Sequence, residues 1–287
     1  MKKYLLIVIL LITCVFMSGC KQDEMDDISI VVTNYPNEFI AKKLYGKHAN
    51  ITSIYPDGVD ISDYKVSKKQ KEQYSKKDLF IYNGKIEKER NLAFDLLDLN
   101  QNLKIIDTAY VLETDYSPEE LWLNPASLLM MAQNIRLGLE EYTGSVYLEK
   151  DINKAYDKLK IELSELDANY RIAVDNTSNK VILVSNSALK YLEKFGLDVI
   201  CIDNDVTTKD INKAEELIND ETISYIYKFK GDKLNKTAKE LLKNHSNVKT
   251  QDLNKLDNLS DNDRSNNRNY ITIMNSNLDL LKKELYQ

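Results

Sequence analysis

The sequence predicts an α/β protein of two similar lobes, each a four-stranded, mostly parallel sheet flanked by helices, joined by one long rigid helix. Three observations carry this. Short β-branched runs alternate with helical patterns along the chain, as parallel α/β folds require. The strand runs fall into two sets of four. Between the sets lies one amphipathic stripe with no glycine or proline to stop it.

The chain opens with Lys2 and Lys3, an apolar run from Leu5 to Phe16, and Met17-Ser18-Gly19-Cys20. The run is too short to span a bilayer, so residues 1–19 read as a signal peptide. Small residues directly before a cysteine form a lipobox, so Cys20 is expected to carry a diacylglyceryl thioether. Residues 20–27, ending in "KQDEMDD", are expected to be a lipidated tether. The lipid places the protein on the extracytoplasmic face of a bacterial cell membrane.

The first lobe is expected over residues 28–144. Its strands are "ISIVVT", "ITSIY", "LFIYNG" and "KIID", with helical patterns around 37–45, 67–75 and 86–97. "SPEELWLNP", Ser117 to Pro125, holds the only tryptophan and marks where strand gives way to a long helix. A linking helix is expected over 145–172. Leu148, Ile152, Ala155, Leu159, Leu163, Leu166 and Tyr170 recur every three or four residues, one stripe roughly 40 Å long at 1.5 Å per residue. The second lobe, 173–287, has strands "KVILVS", "DVICID", "ISYIYKF" and a weaker "VKTQDL". Its helices are expected at 188–195, 209–219, 233–244 and 271–285.

Composition excludes several functions. Lysine and arginine number 39 against 45 aspartate and glutamate, a formal charge of −6. Loss of the two signal lysines takes it to −8. An acidic surface argues against nucleic acid and offers no polybasic patch for anionic lipid. The three cysteines form no CxxC, and Cys201, inside "DVICI", reads as a small buried hydrophobe. There is no P-loop, GxGxxG, HExxH or GxSxG, and nothing argues for an enzyme.

Two α/β lobes should bind a ligand beyond the carboxyl ends of their strands. Four loops emerge there: "YPDGVDISDY", "YSPEELWLNP", "SNSALKY" and "DLNKLDNL". With these loops in view, "VVTNYPNEFIAKKLYGKHANITSIYPDGVDISDYKVSKKQKEQYSKKDLFIYNG", "LWLNPASLLMMAQNI", "LVSNSALKYLEKFGL" and "NYITIMNSNLDLLKKEL" resemble, in order, the solute-binding lipoproteins of zinc and manganese ABC importers. The resemblance implies a single zinc or manganese ion between the lobes and an ABC permease as partner. A monomer is expected, and no other cofactor.

The resemblance also assigns the metal-ligand positions. They fall on Ser62, Glu120, Asn186 and Asn254, where the family pattern has His, His, His or Glu, and Asp. A hydroxyl and two neutral amides make a poor tetrahedral zinc site, and nanomolar capture needs about −12 kcal/mol. The site is therefore expected to be degenerate. Asp60, Asp63, Glu119, Trp122 and Asp252 are expected as cleft neighbours, and Lys228 as a cation able to pair with Glu120. His48 and His245 have no partner at ligand spacing and read as surface residues. Two other readings remain at this point. One is a surface interaction or adhesion protein on the same scaffold. The other is a receptor for a small polar organic ligand held by Asn, Ser and Tyr groups.

Overall fold

The structure, a computed structural model, describes residues 25–286. The signal peptide, Cys20 and residues 21–24 of the tether lie outside the described residues.

β1 (Ile28–Val32), β2 (Ala49–Ser53), β3 (Leu79–Tyr82) and β4 (Lys104–Asp107) form one parallel sheet in the order β2-β1-β3-β4. β5 (Val181–Val184), β6 (Asp198–Cys201), β7 (Tyr225–Phe229) and β8 (Lys249–Leu253) form a second in the equivalent order β6-β5-β7-β8. The weak "VKTQDL" run is thus a full partner, in register with β7 from Tyr225↔Lys249 to Phe229↔Leu253. β3 is buried at every residue, as expected of a central parallel strand covered on both faces.

Helices begin where side-chain acceptors sit. α1 (Tyr35–Tyr45) is capped by Asn34 with Pro36 in its first turn. α2 (Lys68–Tyr74) buries nothing and is defined by its Ser67–Gln70 capping box. α3 (Glu87–Leu99) buries Leu92, Ala93 and Leu96 on the first sheet. A short α4 (Glu120–Leu123) leads through Asn124, the cap, and Pro125 into α5 (Pro125–Tyr142).

α6 (Val146–Asp175) is the long helix, 30 residues and about 45 Å. Its stripe of Leu148, Ile152, Leu159, Leu163, Leu166 and Tyr170 is buried throughout. It packs on α1 and α5 at one end and on α10 (Tyr270–Leu285) at the other, so one rod backs both sheets.

In the second half, Ser187–Phe195 winds as a 3₁₀ helix, not the α-helix its length suggests. The reason is in the spacing. Ala188 and Tyr191, and Leu189, Leu192 and Phe195, recur every three residues, and a three-residue turn puts all five on one buried face. Gly196, at φ +95°, ends it. α7 (Thr208–Asn219), α8 (Lys236–Asn244) and α9 (Asp261–Ser265) complete the set.

The folded body begins earlier than the tether pattern implied. Met25 is fully buried, and its carbonyl accepts the Tyr45 hydroxyl at 2.5 Å.

Candidate functional site

The four loops at the carboxyl ends of the strands meet in one seam between the sheets, and the fold explains what each key side chain does there. Glu120 opens α4 and is buried to 1 % exposure. Its carboxylate accepts the backbone N–H of Ser117 at 2.6 Å, of Asp115 at 3.2 Å and of Tyr116. Those three bonds fold the preceding loop back onto the helix start. Ser62 sits in an exposed turn whose backbone N–H and hydroxyl both donate to Asp60. Asn186 caps the 3₁₀ helix through Ala188 N–H at 3.0 Å and donates to Asp232 at 2.8 Å. Asn254 accepts Leu256 N–H at 2.8 Å, and its backbone is held from both sides by Asn277. Three of the four side chains thus serve local backbone, and Ser62 serves its neighbour Asp60.

The cleft neighbours divide. Asp63 is exposed and makes no hydrogen bond or ion pair among the described residues. Trp122 is buried, donates its indole N–H to the Lys255 carbonyl at 2.9 Å, and accepts the Tyr270 hydroxyl on its own carbonyl. The Lys228–Glu120 pair expected from sequence does not form. Lys228 Nζ lies 2.8 Å from Asp252, while the cation beside Glu120 is Lys194, at 3.6 Å. The reason is reach: Lys228 and Asp252 are registered partners on adjacent strands.

Sequence reasoning missed the charges that cross the seam. Lys255 Nζ lies 3.2 Å from Glu119 and 3.6 Å from Asp257. Burial works against its charge, yet Asp257, Glu119 and Asp232 outweigh it and raise its pKa. Asp257 is itself pushed up by burial, with Asp60 adding to the rise. Glu119 of the second loop and Asp257 of the fourth therefore flank one ammonium, with the charges of Asp232 and Asp60 acting on it more weakly.

Nearby, Arg264 of α9 forks onto two acids of the first lobe. It meets Glu38 at 2.7 and 3.0 Å, and Asp57 at 2.7 and 2.8 Å. Such bidentate pairs fix geometry as well as charge. Burial opposes ionisation of Glu38, but Arg264 and Lys42 hold its carboxyl below the usual range, and Arg264 does the same for Asp57. Backbone joins in: Gly58, at φ +74°, aims its N–H at the Leu259 carbonyl (2.7 Å), and Tyr35 N–H reaches Asp257 (3.0 Å).

Below the seam on the first-lobe side lies Glu89, fully buried. It accepts the Thr33 hydroxyl at 2.5 Å, the Asn34 amide at 3.2 Å and Asn83 N–H at 2.8 Å. Burial pushes its pKa up to about 7 against those bonds.

A zinc or manganese ion needs several donors converging on one point. Among the described residues no three His, Cys, Asp or Glu side chains do so. His48 is far from the seam, at the base of β2, between Asp26 at 3.0 Å and Asp151 at 3.3 Å. His245 follows α8. Cys201, half-buried, has its thiol pushed up to about 12 by burial and Asp203, which makes it a poor nucleophile at neutral pH.

A family model described as ZnuA, zinc-uptake complex component A, periplasmic, matches residues 30–284. The zinc-binding lipoprotein AdcA of Streptococcus pneumoniae is 26% identical over 93% of the chain, which spans only 58% of that relative's length. A metal ABC transporter substrate-binding lipoprotein of Lactococcus lactis is 30% identical over 67% of the chain and 68% of its own. In fold, the chain superposes on the Zn(II)-bound ZnuA-like domain of Streptococcus pneumoniae AdcA with a TM-score of 0.72, at 24% identity, covering 91% of this chain and all of that one.

Proposed function

This chain belongs to the ZnuA family of zinc-uptake components, and from that premise we propose that it is the substrate-binding lipoprotein of a metal ABC importer type whose cleft cation is its own Lys255. It is a binding protein and not an enzyme, anchored through Cys20 to the extracytoplasmic face of the membrane, with an ABC permease as its partner.

The observation that carries this reading is the pairing of the Lys255 ammonium with Glu119 and Asp257 across the seam. An external cation has to displace a charge that is part of the chain and loses no translational freedom on binding. The other positions offer little in exchange. Glu120 is engaged by three N–H groups, and Asn186 and Asn254 are caps. The lobes are thus held in one arrangement with or without zinc.

The test is zinc calorimetry with native mass spectrometry on protein purified without chelator. The wild type should bind zinc no tighter than about micromolar, or −8 kcal/mol. Lys255→Met, which removes the resident charge and leaves its carboxylates, should raise affinity roughly tenfold or more. Small-angle scattering should be unchanged by zinc or by chelator. Nanomolar zinc binding by the wild type, abolished by Glu119→Ala, would overturn the reading.

A further inference from the structure

The base of the first lobe, at the amino ends of its strands, carries a groove of about 610 Å³ between the end of α1, the edge strand β2 and α6. Lys42, Lys43, Lys47, His48, Lys154 and Lys158 line it, against two acids, Asp151 and Glu162. On a chain with a formal charge of −6, this groove is net positive. Lys42 and Lys43 are engaged with Glu38 and Glu162. Lys47, Lys154 and Lys158 are exposed and make no ion pair among the described residues.

We propose that this groove docks anionic phospholipid headgroups, so that the first lobe rests on the membrane by its base. The geometry rests on the lipidation of Cys20 given above. The chain leaves the folded body at the groove's rim, where Asp26 meets His48 and Met25 meets Tyr45. Four residues separate Cys20 from Met25, and the five Cα-to-Cα steps reach at most about 18 Å. A lipidated chain therefore keeps this rim within about 18 Å of the bilayer. Two further residues suit that surface. Tyr147, 68 % exposed, stands edge-on to His48 at 6.4 Å between ring centroids, and Val146 beside it is 79 % exposed. Tyrosine is favoured at the headgroup level, where its ring is half in apolar surroundings and its hydroxyl in water.

The acidic composition gave no sign of such a patch, and the structure corrects that expectation. Lys42, Lys43, Lys47 and His48 stand close in sequence, but Lys154 and Lys158 of α6, more than a hundred positions on, join them only in the fold.

The experiment uses the chain from Lys21 onward, which keeps every residue of the folded body and carries no acyl group. It is sedimented with vesicles of equal parts phosphatidylglycerol and phosphatidylcholine, and with pure phosphatidylcholine. Binding should be confined to the anionic vesicles and lost at about 1 M salt, where the Debye length falls to about 3 Å. Each lysine near an anionic surface is worth roughly fivefold in partitioning, so Lys47→Gln, Lys154→Gln and Lys158→Gln together should weaken it about a hundredfold. A melting curve confirms that the triple variant is folded. Absence of binding, equal binding to both vesicles, or no effect of the triple variant would overturn the proposal. So would capture of a polyglutamate peptide by a protein that ignores vesicles, which would assign the groove to an acidic polypeptide. The anchor is tested separately: Cys20→Ala should release the protein from cells, and its failure to do so leaves the vesicle result standing.

Discussion

The two ends of the first lobe treat the same kind of charge in opposite ways. At the carboxyl ends of the strands, cations of the second lobe meet carboxylates of the first: Arg264 with Glu38 and Asp57, Lys255 with Glu119, Lys194 with Asp115 and Glu120. At the amino ends, Lys47, Lys154 and Lys158 meet none. Charges at the seam are consumed in holding the lobes together and are partly desolvated, so each is costly to disturb. Lys47, Lys154 and Lys158 at the base are hydrated, screened within about 10 Å at 0.1 M salt, and free for a partner. Acidity or basicity summed over a chain therefore says little about which charges remain available.

The contrast breaks most sharply at Arg264. Its replacement by alanine leaves buried Glu38 with Lys42 alone and Asp57 without its partner, and should cost about 2 kcal/mol, read as a lower denaturation midpoint in urea. The same pair sets an acid limit. Because Glu38 and Asp57 are held below the usual carboxylate range, their stabilisation is complete above their unfolded values and lost as pH falls through the lowered ones. Wild-type stability should drop there, and that part of the drop should be missing from Arg264→Ala.

Glu89 works in the other direction. Folded Glu89 keeps a proton up to about pH 7 that the unfolded chain releases near 4.5, so its ionisation should cost up to about 3 kcal/mol as pH rises between those values. Glu89→Gln should flatten the stability profile over that window. An unchanged slope in the variant would mean another group is responsible.

Lys194→Met sharpens the comparison at the seam's edge. Glu120 retains its three backbone donors and Lys194 is partly exposed, so the loss should be about 1 kcal/mol. At the base, neutralising Lys47, Lys154 or Lys158 singly should change stability by no more than about 0.5 kcal/mol.

What could be read in the sequence follows the range of the interaction. Strands and α6 were legible because their signals repeat locally; the stripe from Leu148 to Tyr170 needs only the helical period. The 3₁₀ helix was half legible: its apolar residues are evident, but a nine-residue run with this pattern also suits an α-helix. The segments that carry Ser62, Glu120, Asn186 and Asn254 were legible as stretches that follow strands. Their occupations were not. Arg264 reaches Glu38 across 226 residues and Asp57 across 207, and Trp122 reaches Lys255 across 133. No pattern in a linear chain marks such pairs until both sheets are built. Met25 was hidden for a similar reason, a single apolar residue in a polar run that only Tyr45 explains.

Glu120 carries a consequence for any change at its position. Its two oxygens hold three backbone N–H groups, and a neutral imidazole has one acceptor nitrogen. A histidine at position 120 would leave at least two of these N–H groups without an acceptor and loosen the 115–117 loop. Any change that put an imidazole donor here would first have to supply new partners for that backbone.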